Sequence, residues 1–348
     1  MFYNIKKSLI QAGLNHRKKS APFDERACEL FEIKPDDPHE INNSFFLGAH
    51  TEAGDDLTLR LGMRNGDEHE IFVIYRTAEG QVLYMEHDHY PAAEMPVQVT
   101  CEEVGQRWRY IMDGYLRDDA GKRYKVEFDV LFFASLPIYD FVQAPERHEG
   151  MTTAIARAHW NRAFFRAMSS TSQKHYEQTG RIEGSITIDG KTRHLRWAAV
   201  RDRAIGKRVW DFMDCHLWLN ATTDKGEAIT VSLVSYPVIK SLFSGYTNIG
   251  RTDANGNSYN ATLTDCRLMR YDHADGKGSD LVKVYTRWSD GRAMVIEARR
   301  DANVLCTFDH GDYIFQEGLG QFMVNAQPAR GNIEFGFNKD ANRWGEYV

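Results

Sequence analysis

The residues best suited to chemistry lie between His175 and His216. In "DFMDCHLWLN", read as a strand, Asp214, His216, Trp218 and Asn220 share one face, and Met213, Cys215, Leu217 and Leu219 share the other. An acid, an imidazole, an indole and an amide on one face can line a cavity; the competing reading is an outward, solvated face. Upstream, "HYEQ" supplies His175, Tyr176, Glu177 and Gln178, which otherwise read as a polar junction. Burial in apolar surroundings raises a carboxyl pKa, so a buried acid arrives protonated. Asp214 or Glu177 then suits protonation of an unsaturated carbon, with His216 as base or water-orienting group. Aromatic faces stabilise a developing cation by about 0.5–2 kcal/mol each. The expected catalytic residues are Asp214, His216 and Glu177, and the expected lining is Tyr176, Gln178, Trp210, Trp218 and Trp108.

Between these two stretches, "RDRAIGKR" packs four bases and one acid around Gly206. It reads as a loop, but Val200, Ile205, Val209 and Trp210 bracket it with apolar residues, so it should lie against protein. A buried lone carboxylate is costly, so Asp202 should pair with an arginine or cap a turn. His175, Arg201, Asp202, Gly206 and Arg208 are therefore assigned a structural, interdomain role.

Other candidates are weaker. His87 and His89 in "EHDHY" point the same way on a strand, but no third ligand follows at a recognisable spacing, so no metal is expected. There is no G-x-S-x-G and no dinucleotide fingerprint. Five cysteines (Cys28, Cys101, Cys215, Cys266, Cys306) are scattered without a CxxC pair, which argues against a disulfide framework or zinc site and favours a reducing compartment. A net charge of −6 with both signs interspersed leaves no basic stripe for nucleic acid. No apolar run approaches the roughly 18 residues a membrane span needs. "MFYNIKKSLIQAGLNHRKKS" lacks the continuous apolar core of a secretory signal. It reads as a helix docking on the body, with weak membrane-surface contact through residues 1–20 or an organellar presequence as the alternatives.

The elements that must position these residues are strands. "LTLRLGM" sets Leu57, Leu59, Leu61 and Met63 on one face; "YKVEFDVLF" sets Tyr124, Val126, Phe128, Val130 and Phe132; "ITVSLVSY" sets Ile229, Val231 and Leu233. This alternation marks antiparallel strands with one wet face. Glycine-centred turns separate them, and the turns recur in order: Gly226 lies 172 residues after Gly54, Gly256 lies 176 after Gly80, and Gly291 lies 170 after Gly121. Near-constant offsets of half the chain imply two similar all-β domains, each a sandwich or barrel. "MTTAIARAHWNRAFFRAMSS" reads as a joining helix, with Met151, Ile155, Phe164, Phe165 and Met168 as its stripe and Thr152 or Thr153 as a cap. The expected division is an N-terminal segment (1–40), a first β-domain (41–150), a connecting helix (151–175) and a second β-domain (176–348).

At "HYEQTGRIEGSITIDG" and "RDRAIGKRVWD" the sequence resembles the tandem lipocalin-like proteins related to carotenoid 1,2-hydratase, a group that includes AttH-like proteins and lipocalin-like Diels–Alderases. "GQRWRYIMDGYL" and "GNIEFGF" also fit, and the likeness spans Asn43 to Asn338. Arg201, Asp202, Gly206, Arg208 and Trp210 match the family's loop. Arg203 and Ile205 stand where the family often has histidine and tryptophan, which puts any chemistry of those two in doubt. The resemblance implies two tandem lipocalin-like β-barrel domains that bind or transform apolar molecules. The favoured reading is a lyase- or isomerase-type enzyme that hydrates, isomerises or cyclises an unsaturated terpenoid-, polyene- or lipid-like molecule without a cofactor. The alternative is a non-catalytic carrier or sensor of a hydrophobic ligand. A cytoplasmic or membrane-peripheral location is expected.

Overall fold

Leu57, Leu59 and Leu61 turn to one side of a strand and meet Trp108, Val130, Ile182 and Trp197 in one core, as their alternation requires. The computed structural model describes residues 2–20, 26, 29, 40–51, 53–141, 149–170, 173–207, 212–273, 279–301 and 306–340. Within them, two antiparallel sheets each close into an eight-stranded barrel.

The first half runs through β1 (Glu40–His50), β2 (Asp55–Arg64), β3 (Glu68–Arg76), β4 (Val82–Met85), β5 (His89–Pro91), β6 (Val97–Glu103), β7 (Arg107–Arg117), β8 (Arg123–Ala134), β9 (Tyr139–Asp140), β10 (Gln173–Ile188) and β11 (Lys191–Lys207). The ring runs β11–β1–β2–β3–β4–β7–β8–β10 and closes on β11; β5, β6 and β9 pair on its rim. The second half runs through β12 (Cys215–Thr222), β13 (Ala228–Tyr236), β14 (Ile239–Thr247), β15 (Ala261–His273), β16 (Ser279–Trp288), β17 (Ala293–Arg300), β18 (Cys306–His310), β19 (Tyr313–Val324) and β20 (Gln327–Asn338). Its ring is β20–β12–β13–β14–β15–β16–β17–β19, closing on β20. The two rings correspond stave for stave, and each is sealed by its last hairpin. Gly54, Gly80, Gly121, Gly226, Gly256 and Gly291 all take positive φ at the paired turns, the conformation for which glycine is suited.

The boundary differs from the expected one. β10 and β11 belong to the first barrel: β10 pairs β8 from Gly180 to Ile188, and β11 pairs β1 from Ala198 to Lys207. The second ring therefore starts at Cys215, not at residue 176. Periodicity reports which face of a strand is apolar but not which strand it joins, and the helical stretch is not a joint between the two barrels. It is an excursion within the first barrel's chain. It forms two helices, α2 (Glu149–Arg157) and α3 (Arg162–Ser170), counted after an N-terminal α1 (Phe2–Ser20). Asn161 Oδ1 accepts the Phe164 backbone N–H at 2.8 Å and caps α3, whereas Thr152 and Thr153 lie inside α2 rather than at its start. α2 docks on the second barrel: a Cβ on Gly150 would meet Phe243 at 2.6 Å, and Ala154 joins that barrel's core. α1 docks on α2 through Lys6 Nζ to Ala158 O (2.7 Å) and Lys7 to Glu149 (3.1 Å), leaving Phe2, Ile5 and Leu9 exposed. No helix among the described residues is long and apolar enough to cross a membrane.

The expected wet face is missing from several strands. β12 is buried at every residue, and β2 nearly so. The reason is a seam where the barrels press together. Phe45, Leu47, Phe72 and Ile74 of the first meet Trp218, Phe308, Tyr313, Phe315 and Leu319 of the second. A polar clamp holds one side of it: Arg330 on β20 donates to Asp56 on β2 (Nε–Oδ1 3.0 Å) and to Asp301 (2.8 Å), which also faces Arg76 (3.3 Å).

Candidate functional site

β12 places Leu217 and Leu219 inside the second barrel and turns His216, Trp218 and Asn220 into the seam. β10 and β11, side by side with Glu177 opposite Asp202, turn His175, Glu177 and Asp202 toward them. The same alternation sends Tyr176, Gln178, Arg201 and Arg203 into the first barrel, beside Trp108.

Glu177 is fully buried. Trp218 Nε1–H donates to its Oε1 at 3.1 Å, and Thr230, itself held by Asn220 Nδ2 (3.2 Å), bonds Oε2 at 2.7 Å. Burial, with the negative charge of Asp202, pushes Glu177 up to about 8 against the opposing pull of His175 and these two hydrogen bonds. At neutral pH it carries its proton. His175 Nε2 lies 2.5 Å from Asp202 Oδ2 and 4.0 Å from Glu177, with its ring stacked on Phe141. These three side chains offer donor atoms within 4.8 Å of one another, a grouping that chain spacing did not reveal. Hydrogen bonds already hold it together: His175 with Asp202, and Glu177 with Trp218 and Thr230.

On the other side of Trp218 stands Glu334, its cross-strand neighbour on β20. His216 Nε2 is 2.5 Å from Glu334 Oε1, and His216 Nδ1 is 2.6 Å from the Tyr313 hydroxyl. Glu317 on β19 faces Glu334 from the next strand. Burial would raise Glu334, but the imidazole of His216 and a hydrogen bond from Glu317 outweigh it and bring it down to about 2. Burial and the charge of Glu334 push Glu317 well up, so this pair holds one proton, on Glu317. Gly336 makes the imidazole's position available: a Cβ there would lie 2.2 Å from His216 Cε1 and 2.5 Å from the Tyr313 oxygen. Arg60 of the first barrel lies over Phe315 at 5.1 Å and bonds Glu70 at 3.1 Å.

The sequence-predicted residues thus separate into groups. Glu177, Trp218, His175 and Asp202 come together, and His216 joins them through its neighbour Trp218 and its partner Glu334. Asp214 is buried at the head of β12 but pairs with Lys240 at 2.7 Å. Tyr176, Gln178 and Trp108 line the first barrel's interior instead of the seam. Trp210 and Arg208 lie outside the described residues.

Two structural assignments change. The "RDRAIGK" stretch is the end of strand β11, not a loop, and Gly206 sits within it opposite Ile41 and Gln173. Asp202 pairs with His175 rather than an arginine, because neighbours on a strand face opposite ways and Arg201 and Arg203 turn inward. Glu334, Glu317 and Thr230 were missed. A signal for Glu334 existed: it is the one acid in "GNIEFGF", between inward-facing Ile333 and Phe335.

A family profile matches residues 34–339. The chain belongs to the family described as "Domain of unknown function (DUF7064)". No curated protein matches it. Among solved structures it is similar to a putative AttH from Nitrosomonas europaea (15% identity, 91% of this chain and 95% of that one, TM-score 0.55). It is also similar to kievitone hydratase from Nectria haematococca (11% identity, 90% and 94%, TM-score 0.53) and to CghA crystallised with Sch210972 (11%, 88% and 93%, TM-score 0.50). The relation to tandem lipocalin-like proteins expected from sequence holds, and at these identities what it shows is the fold.

Proposed function

We propose that the seam between the barrels is an acid–base site for an unsaturated, apolar small molecule, which it hydrates, isomerises or cyclises. The observation that carries this reading is a pair of interbarrel carboxyls flanking Trp218 and driven apart by their surroundings: Glu177 up to about 8, Glu334 down to about 2. Such a divergence sorts two like groups into an acid and an anion. Glu177 delivers its proton to an alkene carbon. The aromatic faces of Phe45, Phe72 and Trp218 and the charge of Glu334 stabilise the cation that results. In a hydration, water adds to the cationic carbon and its released proton passes to a carboxylate; in an isomerisation or cyclisation a neighbouring C–H gives up the proton instead. The fold likeness to a hydratase is consistent with this reading but does not choose the reaction.

The test is deuterium uptake from heavy water into a panel of polyenes and terpenoids. Glu177→Gln should lose about 10²–10⁴-fold of the exchange rate. Wild-type rates in that variant would refute the assignment. Native mass spectrometry of the purified protein supplies the second arm, because a co-purified and chemically unchanged apolar molecule would mark a carrier.

A further inference from the structure

The interior of the first barrel holds a second polar group, separate from the seam. Arg201 and Arg203 are fully buried there. The Arg201 guanidinium lies 4.7 Å over the Trp108 ring and 5.8 Å over Phe132. A carboxylate meets it: Glu29 Oε1 is 3.1 Å from Arg201 Nη1 and also accepts from the Tyr176 hydroxyl, while Oε2 accepts from Trp108 Nε1–H and lies 3.5 Å from Cys101 Sγ. Gln178 Oε1 takes the other Arg201 nitrogen at 2.9 Å.

Every donor in this clamp stands on a strand of the first sheet: β6 (Cys101), β7 (Trp108), β10 (Tyr176) or β11 (Arg201). Glu29 does not; it precedes β1 and belongs to neither sheet. The receptor is therefore part of the first sheet, and the carboxylate comes from a residue that is not part of it. Two further features mark it as built for an anion. Glu29 brings one negative charge to the Arg201 guanidinium, which would be costly to bury alone. Arg201 Nε–H is buried and meets no acceptor among the described residues. Beyond the clamp the same inward face is apolar, with Phe46, Met112 and Phe128.

We propose that Glu29 occupies, in cis, a carboxylate-binding site built into the first barrel, and that this site takes the headgroup of an apolar carboxylic acid. Guanidinium, phenol and indole N–H together recognise two carboxylate oxygens, which an alcohol cannot supply. Entry of such an acid requires Glu29 to leave, so its apparent affinity in the native chain is reduced by the fraction of molecules in which the clamp is vacant.

The test uses the full-length protein with palmitate and hexadecanol as probes, followed by calorimetric titration and melting temperature. Glu29→Ala should bind palmitate about tenfold or more tightly than wild type, and about tenfold or more tightly than it binds hexadecanol. Glu29→Gln keeps the side-chain volume and removes the charge, and it carries the test if the alanine variant fails to fold. Its lowered melting temperature should be restored by palmitate and not by hexadecanol. Equal effects of the two probes, or melting temperatures that palmitate leaves unchanged in the folded variants, would overturn the proposal. These readouts do not involve turnover at the seam, so they stand or fall independently of the function proposed there.

Discussion

Replacing Glu177 by glutamine tests the electrostatics of the seam directly. Glutamine keeps the shape of the protonated side chain and removes its titration. In the folded protein Glu177 holds its proton up to about 8, against an ordinary value of 4.5. The native state therefore binds a proton that the unfolded chain releases, and stability falls as pH rises between those values. The stabilisation is fully present below pH 4.5 and gone above pH 8. At about 1.4 kcal/mol per pH unit the whole change is roughly 5 kcal/mol. Urea denaturation at pH 5, 6, 7, 8 and 9 should show wild type losing stability relative to Glu177→Gln by about 1.4 kcal/mol per unit up to pH 8, then running parallel to it. Curves parallel over the whole range would mean that Glu177 titrates as an ordinary surface acid, and the acid role would fall with it.

Other outcomes follow from the same geometry. Trp218→Phe keeps a ring but removes the N–H bonded to Glu177; it should cost about 1–3 kcal/mol and move the Glu177 midpoint upward, because that bond favours the ionised form, as a pH-dependent denaturation series would show. Glu334 is depressed from 4.5 to about 2, so its contribution is present above pH 4.5 and lost as pH falls toward 2; Glu334→Gln should remove roughly 3 kcal/mol of acid sensitivity over that range. Arg330→Met strands Asp56 in the clamp and should cost about 3–5 kcal/mol, much of it recovered when Asp56→Asn is added, in a double-mutant cycle by urea. Gly336→Ala drives a methyl into His216 and should cost about 1–3 kcal/mol while shifting the His216 ring resonances in NMR.

The barrels were largely legible because hairpin turns and alternation are local. Gly54 and Gly226 predict their turns from a few neighbours, and the recurrence of those turns predicts the duplication. What escaped is what depends on partners far along the chain. β10 and β11 carry ordinary alternation, and nothing in it says that they seal the barrel begun at β1. The "RDRAIGK" stretch reads as a loop lying against protein because sequence shows four charges around Gly206 but not that Arg201 and Arg203 enter the barrel while Asp202 enters the seam. Glu177 and His216 were found because polar groups share a face with aromatics. Glu317 and Glu334 were not singled out, since each is a lone acid whose meaning comes only from the strand beside it. Glu29 has no local mark at all; its partner Arg201 lies 172 residues away.

The sealing hairpin also sets the order in which this protein can be made. β1 and β8 are open sheet edges until β10 and β11 leave the ribosome, so a chain ending near residue 175 should aggregate through those edges rather than serve as a minimal domain. Once the hairpin closes, the outward faces of β10 and β11 still look into water, because Trp218 and Thr230 have not yet been synthesised. Glu177 is then an ordinary ionised acid on the surface of a finished barrel. It acquires its proton only when the second barrel docks. Maturation of the seam is in this sense a proton-uptake step, and assembly itself loads the acid with its proton.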